Sequence, residues 1–410
     1  MKFTQVLYKY HIGKAIRYLW QHQRERPIIV TKAEDVLRSM NIPVQNAMEV
    51  VLQKPPQIKF VPEKRIEKST LYNTAQPKSN ERSCLIFEDQ NVLPEGVSQA
   101  CILTKTLQVG DDLPQKVENL VTDIPGNINR LITRTVYTSA LYDAEQAKLQ
   151  RLHDPDRPAW RFPRVYGIST KRKMYNLSKK FLQLCESLSG LSIAQDRLIL
   201  QDGLSSVCVD KENDFIKFSS KMDIFMASSR PLTPIADVNT QYEFDMPSIQ
   251  PMRHTIGLRK LTSYNSEDVY PINSKSAFVN PHTLFILYDS EHVKNITELP
   301  VTENQIHAHS LTKSFTVAAA CARQRFGSNV KELPEPIVVQ CIQSDGQDFH
   351  FSVYQLNTLD IDGMQGIRNF WWSKPTIKLY EEAKYENGQP CVKECNNEVF
   401  KRFLAFYTNQ

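Results

Sequence analysis

The stretch from Leu333 to Thr358, LPEPIVVQCIQSDGQDFHFSVYQLNT, carries the pattern the rest of the chain is organised around. Two apolar runs, Ile337–Ile342 and Phe349–Leu356, flank Asp345-Gly346, a pair suited to the positive φ angles of a two-residue hairpin turn. Pairing Ser344 with Gln347 would set Ile342 opposite Phe349, Gln340 opposite Phe351 and Val338 opposite Val353. One face of the ribbon then carries Val338, Ile342, Phe349, Phe351 and Val353. The other carries Ile337, Val339, Cys341, His350, Ser352 and Tyr354. Both faces are mostly apolar, so the ribbon is expected at the centre of a domain, covered on both sides by helices.

Helical periodicity supplies candidates for that cover. Ser310–Phe326 places Leu311, Phe315, Ala318, Ala322 and Phe326 on one stripe and ends at Gly327; Asn397–Tyr407 does the same with Phe400, Phe403, Leu404 and Tyr407. Thr170–Ser189 is amphipathic and stops at Gly190. Earlier helices are expected from Pro94 through Leu103, over Leu113–Val121 and over 127–150. Strands are expected at Cys84–Phe87 and Leu284–Tyr288, and the four short apolar runs between Arg197 and Ala227 predict a β-meander. Residues 231–280 lack periodicity and predict a long ordered loop. Strands cluster instead of alternating with helices. The predicted fold is therefore α+β: a largely antiparallel sheet, meander plus C-terminal hairpin, packed with helices.

The first 82 residues follow neither rhythm. Prolines 43, 55, 56, 62 and 77 and mixed charges predict an extended arm, followed by one large domain over 83–410. The formal charge is +5, but residues 1–82 hold 15 Lys and Arg against 7 Asp and Glu, or +8, which leaves −3 for the rest. Residues 1–24 contain no acid and place Phe3, Val6, Leu7 and Tyr10 at helical spacing among basic residues, the pattern of a mitochondrial presequence. No apolar run approaches the roughly 18 residues of a spanning helix, which predicts a soluble protein without a membrane span. Eight scattered cysteines (84, 101, 185, 208, 321, 341, 391 and 395) read as free thiols of a reducing compartment.

Chemistry is sparse in the sequence. Only 13 glycines occur, and phosphate-cradling glycine motifs are missing from the chain. Cys391-x3-Cys395 lacks the second ligand pair that structural zinc requires, and Asp360-Ile361-Asp362-Gly363 lacks the first and twelfth ligands of a calcium loop. No metal or other cofactor is expected. His350, mid-strand and without a nucleophile or carboxylate in view, reads first as a core residue. Two features suit RNA. The segment DPDRPAWRFPRVYG, 154–167, mixes Arg157, Arg161 and Arg164 with Trp160 and Phe162, which can reach phosphates and stack on unpaired bases. Lys171, Arg172 and Lys173 open a helix, where cations oppose the dipole and stay solvated unless an anion neutralises them. With Arg24, Arg26, Lys64 and Arg65 of the arm, these are the candidate RNA-facing residues.

The hairpin segment with NPHTLFILYD (280–289) and FKRFLAFY (400–407) is similar to the family of the mitochondrial large-subunit ribosomal protein numbered thirty-seven. CLIFEDQNVLPEGVSQACILTKT (84–106), LPQKVENLVTD (113–123) and the stretch from DRLILQDGLSSVCVDKENDFIK to PLTPIA (196–236) extend that resemblance in order over most of 84–410, with departures at 1–83 and near 373–396. The resemblance implies a non-enzymatic structural constituent of the mitochondrial large ribosomal subunit in the matrix. Its implied partners are ribosomal RNA, other large-subunit proteins and the related programmed-cell-death protein nine type protein beside it. It implies no small-molecule substrate. The competing expectation is a matrix enzyme or small-molecule binder centred on His350, which would need a deep apolar pocket there.

Overall fold

The computed structural model describes residues 32–45 and 79–410 apart from 144, 150, 152–155, 158, 291, 296–298 and 388. The chain divides into two units, Met1–Thr74 and Ala75–Gln410. In the first unit the described part is one exposed helix, α1 (Ala33–Ser39), carrying an i,i+4 ion pair from Arg38 to Glu34. The arm residues Arg24, Arg26, Lys64 and Arg65, and the whole presequence-like stretch, lie outside the described residues.

In chain order the second unit runs β1 (Ser79–Phe87), α2 (Gly96–Thr104), β2 (Thr106–Gln108), α3 (Gln115–Glu118), α4 (Gly126–Ala140), β3 (Ala147–Lys148) and β4 (Tyr166–Gly167). It continues with α5 (Thr170–Ser189), α6 (Leu191–Gln195), β5 (Arg197–Lys211), β6 (Asp214–Ser228), β7 (Arg259–Ser263), β8 (Asn280–Leu287) and α7 (Glu303–Phe326). The last elements are β9 (Glu332–Ser344), β10 (Asp348–Thr358), β11 (Asn369–Ser373), β12 (Ile377–Lys378), β13 (Glu382–Glu386), β14 (Gln389–Lys393) and α8 (Glu398–Thr408). Ten strands form one mixed sheet in the order β2-β11-β10-β9-β8-β6-β1-β7, with β5 on β6 and β12 on β10. The pairs β1/β6, β8/β9 and β2/β11 are parallel and the others antiparallel, so the fold is α+β with a largely antiparallel sheet.

The β9–β10 hairpin sits inside this sheet and is filled from both sides. Val338, Ile342, Phe349, Phe351 and Val353 pack with Phe181 of α5 and Phe400, Phe403 and Phe406 of α8. Ile337, Val339, Cys341 and Tyr354 pack instead with Leu311, Phe315 and Ala318 of α7, and with Val97 and Ala100 of α2. Each fully buried aromatic of this kind contributes about 1.5–3 kcal/mol. The expected register needs correction. Ser344 pairs with Phe349 and Ile342 with Phe351, because Asp345–Asp348 form a four-residue loop and not a two-residue turn. The Asp345 carboxylate accepts the backbone N–H groups of Gln347 and Asp348, and Gly346 takes φ +97°. The slip is two residues, an even number, so every side chain keeps its predicted face.

Other expectations change as well. The four runs between Arg197 and Ala227 form two long strands, β5 and β6, paired in one register from Arg197↔Ser228 to Lys211↔Asp214. The polar stretches between the runs continue the ladder, with Gln201 and Lys221 exposed but Ser205, Ser206 and Ser220 buried, and by composition they mimic turns in the sequence. The length of β6 lets its remaining edge take β1 at Phe215–Phe218 and β8 at Ile224–Ser228. The helix expected over 127–150 stops at Ala140, and the long loop 231–280 contributes β7, an edge strand on β1. Strand β1 itself begins at Ser79, ahead of the expected Cys84.

Helix α7 starts earlier than expected, at a capping box. The Thr302 hydroxyl accepts Gln305 N–H, and the Gln305 amide oxygen accepts Thr302 N–H. It is buried on nearly all sides. Its polar side chains are satisfied by the helix backbone, since Thr312, Ser314 and Thr316 donate to the carbonyls of Ala308, Ser310 and Thr312. Helix α2 approaches α7 so closely that a Cβ on Gly96 would stand 2.8 Å from the Asn304 carbonyl oxygen. Buried amides then fasten the chain's end to the sheet. Gln340 donates to the Phe406 carbonyl and accepts from Asn409, while His282 bonds Thr283 and the Asn409 carbonyl.

Candidate nucleic-acid interface

Helix α4 buries Ile128, Ile132 and Val136 and leaves Arg130 and Arg134 exposed on its other side. At Ala140 the chain leaves the helix and returns only at Ser169, ahead of α5. This 141–169 insert has little regular structure. Its short strands β3 and β4 pair Ala147 with Gly167 and Lys148 with Tyr166, and Leu149 N–H donates to the Val165 carbonyl.

The far end of the insert presents aromatic rings outward. Trp160 is 64% exposed and Tyr166 65% exposed, and the Trp160 ring meets Phe162 edge-on at 6.4 Å. Arg157, Arg161 and Arg164 are exposed beside them, and none forms an ion pair among the described residues. A turn closed by Trp160 N–H on the Arg157 carbonyl holds the first arginine next to the indole. Exposed guanidinium groups interleaved with exposed rings match what single-stranded RNA requires: cations for phosphate and flat faces for bases.

The near end of the insert is clamped, and the clamp consumes part of the basic run. Arg172 grips the Asp143 carboxylate through Nε and Nη2 and also pairs with Glu145; Asn176 donates to the same Asp143 carboxylate. Hydrogen bonds from the Arg172 guanidinium, then from the Glu145 N–H, hold the Asp143 carboxyl well below the usual carboxylate range. Lys171 pairs with Asp223 at 3.3 Å and stays largely exposed. Lys173 is half-buried and forms no ion pair among the described residues. The charge that opposes the α5 dipole is thus neutralised from within by Asp143, Glu145 and Asp223. Of the candidate residues, Arg157, Arg161 and Arg164 lie together on one exposed segment, and Arg172 faces inward on its root. Arg130 and Arg134 were missed. Their i,i+4 spacing opposite the Ile128, Ile132 and Val136 stripe was the available signal.

His350 is 3% exposed, and its ring stacks on His307 at 3.7 Å with neither nitrogen hydrogen-bonded. Burial, and then the neighbouring His307, push its pKa far down. Around the pair, His307 Nε2 meets the Thr376 hydroxyl, which also bonds Glu303. The hairpin bearing His350 is packed on both faces. Cys391 and Cys395 are half-buried free thiols, and no cluster of three or more His, Cys, Asp or Glu suited to a metal occurs among the described residues.

The family described as Mitochondrial 28S ribosomal protein S30 (PDCD9) matches residues 228–410, from the end of β6 through α8. The large ribosomal subunit protein mL37 of Rattus norvegicus is 28% identical over 353 residues, covering 81% of this chain and 76% of that protein. The mL37 of Gallus gallus is 27% identical over 352 residues, covering 81% and 75%, and that of Bos taurus is 28% identical over 353 residues, covering 81% and 76%. The chain therefore resembles mL37 over four fifths of its length, and the half built on the central hairpin carries the match to the PDCD9 family.

Proposed function

We propose that this protein is a structural constituent of the mitochondrial large ribosomal subunit, located with it in the matrix and contacting ribosomal RNA and neighbouring ribosomal proteins. The observation that carries this reading is the similarity to mL37 across 81% of the chain. The interior agrees with it. The site where an enzyme reading would place its chemistry, His350, is enclosed by packed side chains, with its ring stacked on His307.

The exposed arginines of the insert contact the RNA backbone, with Trp160 and Tyr166 offering stacking surfaces. The remainder of the body, near neutral in charge, meets protein, including a PDCD9-type neighbour whose family matches residues 228–410 of this chain. Sedimentation of tagged protein through a sucrose gradient tests the reading: it is expected with the large subunit before and after a high-salt wash. Recovery only in the slow, ribosome-free fractions would refute it.

A further inference from the structure

A cleft of about 610 Å³ lies at the β2 edge of the sheet, where the 238–245 loop meets the 362–368 segment ahead of β11. Its size falls within the roughly 300–1,000 Å³ of small-molecule sites. Leu107 and Phe370 form its apolar side, and the Tyr242 ring stands edge-on to Phe370 at 5.2 Å. Buried amides hold both walls. The Gln355 side chain accepts the N–H groups of Ile235 and Ala236 and donates to the Ala236 carbonyl, which ties the chain just ahead of the loop to β10. On the other wall the Asn357 amide donates to the Arg368 carbonyl, and the Asn369 amide oxygen accepts the N–H groups of Asn357 and Thr358. Gln355, Asn357 and Asn369 are all buried, so the backbone on either side of the cleft is held from inside.

The polar side chains on those walls are not used by the chain itself. Arg368 is half-buried, and its guanidinium forms no ion pair or hydrogen bond among the described residues. The other half-buried arginines described, Arg172, Arg197, Arg323 and Arg402, are each paired or hydrogen-bonded. A cation that gives up part of its hydration without a partner costs free energy, so Arg368 calls for one. Thr240 and Tyr242 are half-buried too, and their hydroxyls make no hydrogen bond among the described residues. All three polar ends stay open to solvent. Asp245 also lines the cleft, exposed and not paired with Arg368.

We propose that this cleft holds one ribose phosphate of a bound RNA strand, with the Arg368 guanidinium and the Thr240 and Tyr242 hydroxyls donating to the phosphate oxygens. The proposal rests on the RNA-contacting reading and adds to the insert a second contact, on the body itself. Arginine, threonine and tyrosine are side chains that contact phosphate and sugar, and the planar guanidinium fork matches phosphate geometry. The carboxylate of Asp245 favours an occupant that carries hydroxyl donors beside its anion. A ribose phosphate has them, and the carboxylate of a neighbouring protein does not.

The test titrates the full-length chain with uridine monophosphate and with uridine, read by NMR. Saturable binding of the nucleotide is expected, with uridine about tenfold weaker. Arg368→Gln should weaken the nucleotide by about the same factor and leave the unfolding midpoint in place, because the guanidinium bonds nothing in the chain. Tyr242→Phe keeps the ring on Phe370 and should weaken binding about threefold. An Arg157→Ala, Arg161→Ala, Arg164→Ala chain should bind the nucleotide as before. Equal affinity for nucleotide and nucleoside, or a loss that follows the insert arginines and not Arg368, overturns the proposal; the ligand comparison needs no variant to fold. The source of the phosphate is read separately. A Gln365→p-benzoylphenylalanine chain in intact large subunits should crosslink to RNA. Crosslinks to protein alone, or a nucleotide released on denaturing the purified chain, would overturn the strand assignment. Sedimentation away from the subunit would defeat the ribosomal reading while leaving the nucleotide titration intact, so the two failures are distinguishable.

Discussion

The β9–β10 hairpin and the 141–169 insert use the same kinds of side chain to opposite ends. The hairpin spends Phe349, Phe351 and Tyr354 entirely on the interior, where rings from α5, α7 and α8 close over them. The insert turns Trp160, Val165 and Tyr166 to solvent and sets exposed arginines among them, without an ion pair among the described residues. An apolar residue exposed singly needs no explanation, but exposed rings grouped with exposed guanidinium groups fit the partner proposed for this surface. Architecture follows from the first region, and the proposed recognition from the second.

The comparison breaks most visibly if the hairpin is hollowed. Phe351→Ala removes a fully buried ring between β9 and α8 and should cost about 3–5 kcal/mol by urea unfolding, without specific effect on the insert. A loss under about 1 kcal/mol would mean the hairpin is not central to the core.

Acid separates the two regions next. Burial lowers His282 to about 3 and His309 to about 4. The unfolded chain takes up those protons near pH 6.5 while the folded body does not, so body stability is full above that pH and falls below it, by about 1.4 kcal/mol per pH unit for each histidine. The insert's clamp has the other sign of origin and a lower window. The depressed Asp143 carboxyl contributes fully above about pH 4 and is lost only as pH falls further, toward its folded value. Denaturant midpoints should therefore drop between pH 7 and pH 5, while proteolysis of the insert at those two values stays unchanged. A flat midpoint would contradict the burial of the two rings.

Smaller again is Gln340→Leu. It keeps the volume, leaves the Phe406 carbonyl and the Asn409 side-chain amide without their Gln340 partner, and leaves the Thr283 hydroxyl only its bond to His282. The expected cost is about 1–3 kcal/mol, with faster hydrogen exchange at the end of α8. Stabilisation by leucine would show that the amide is dispensable there.

The insert answers to different changes. Replacing Arg157, Arg161 and Arg164 with alanine should leave the body within about 0.5 kcal/mol, yet reduce the salt dependence of RNA binding by about 0.7 for each lost phosphate contact. An unaltered slope would remove these residues from the interface. Arg172→Ala has the smallest global effect expected. The unfolding midpoint stays put, and trypsin cuts the insert faster as the Asp143 clamp opens.

Several of these features were legible in the residues alone. Helix α5 appears from Thr170 to Ser189 as its stripe and Gly190 predict, and both faces of the hairpin carry the side chains that alternation assigns. Strand number between Arg197 and Ala227 was not legible, because polar ladder positions such as Ser205 and Ser219 look like turn residues. The Thr302–Gln305 capping box was present in the sequence and marks the true start of α7. The clamp of Arg172 on Asp143 spans 29 residues of poorly periodic chain, and no local pattern links them.

By itself the sequence determined which residues must be buried and on which face, since a period of two or 3.6 follows from backbone geometry alone. An even-numbered slip of register could not disturb that. Only the tertiary structure decided strand order, which buried amides hold the chain's end, and which arginines remain unpaired. Those depend on groups far apart in sequence meeting in a low-dielectric interior or on a shared surface, and pairwise encounters of that kind leave no periodic trace in the chain.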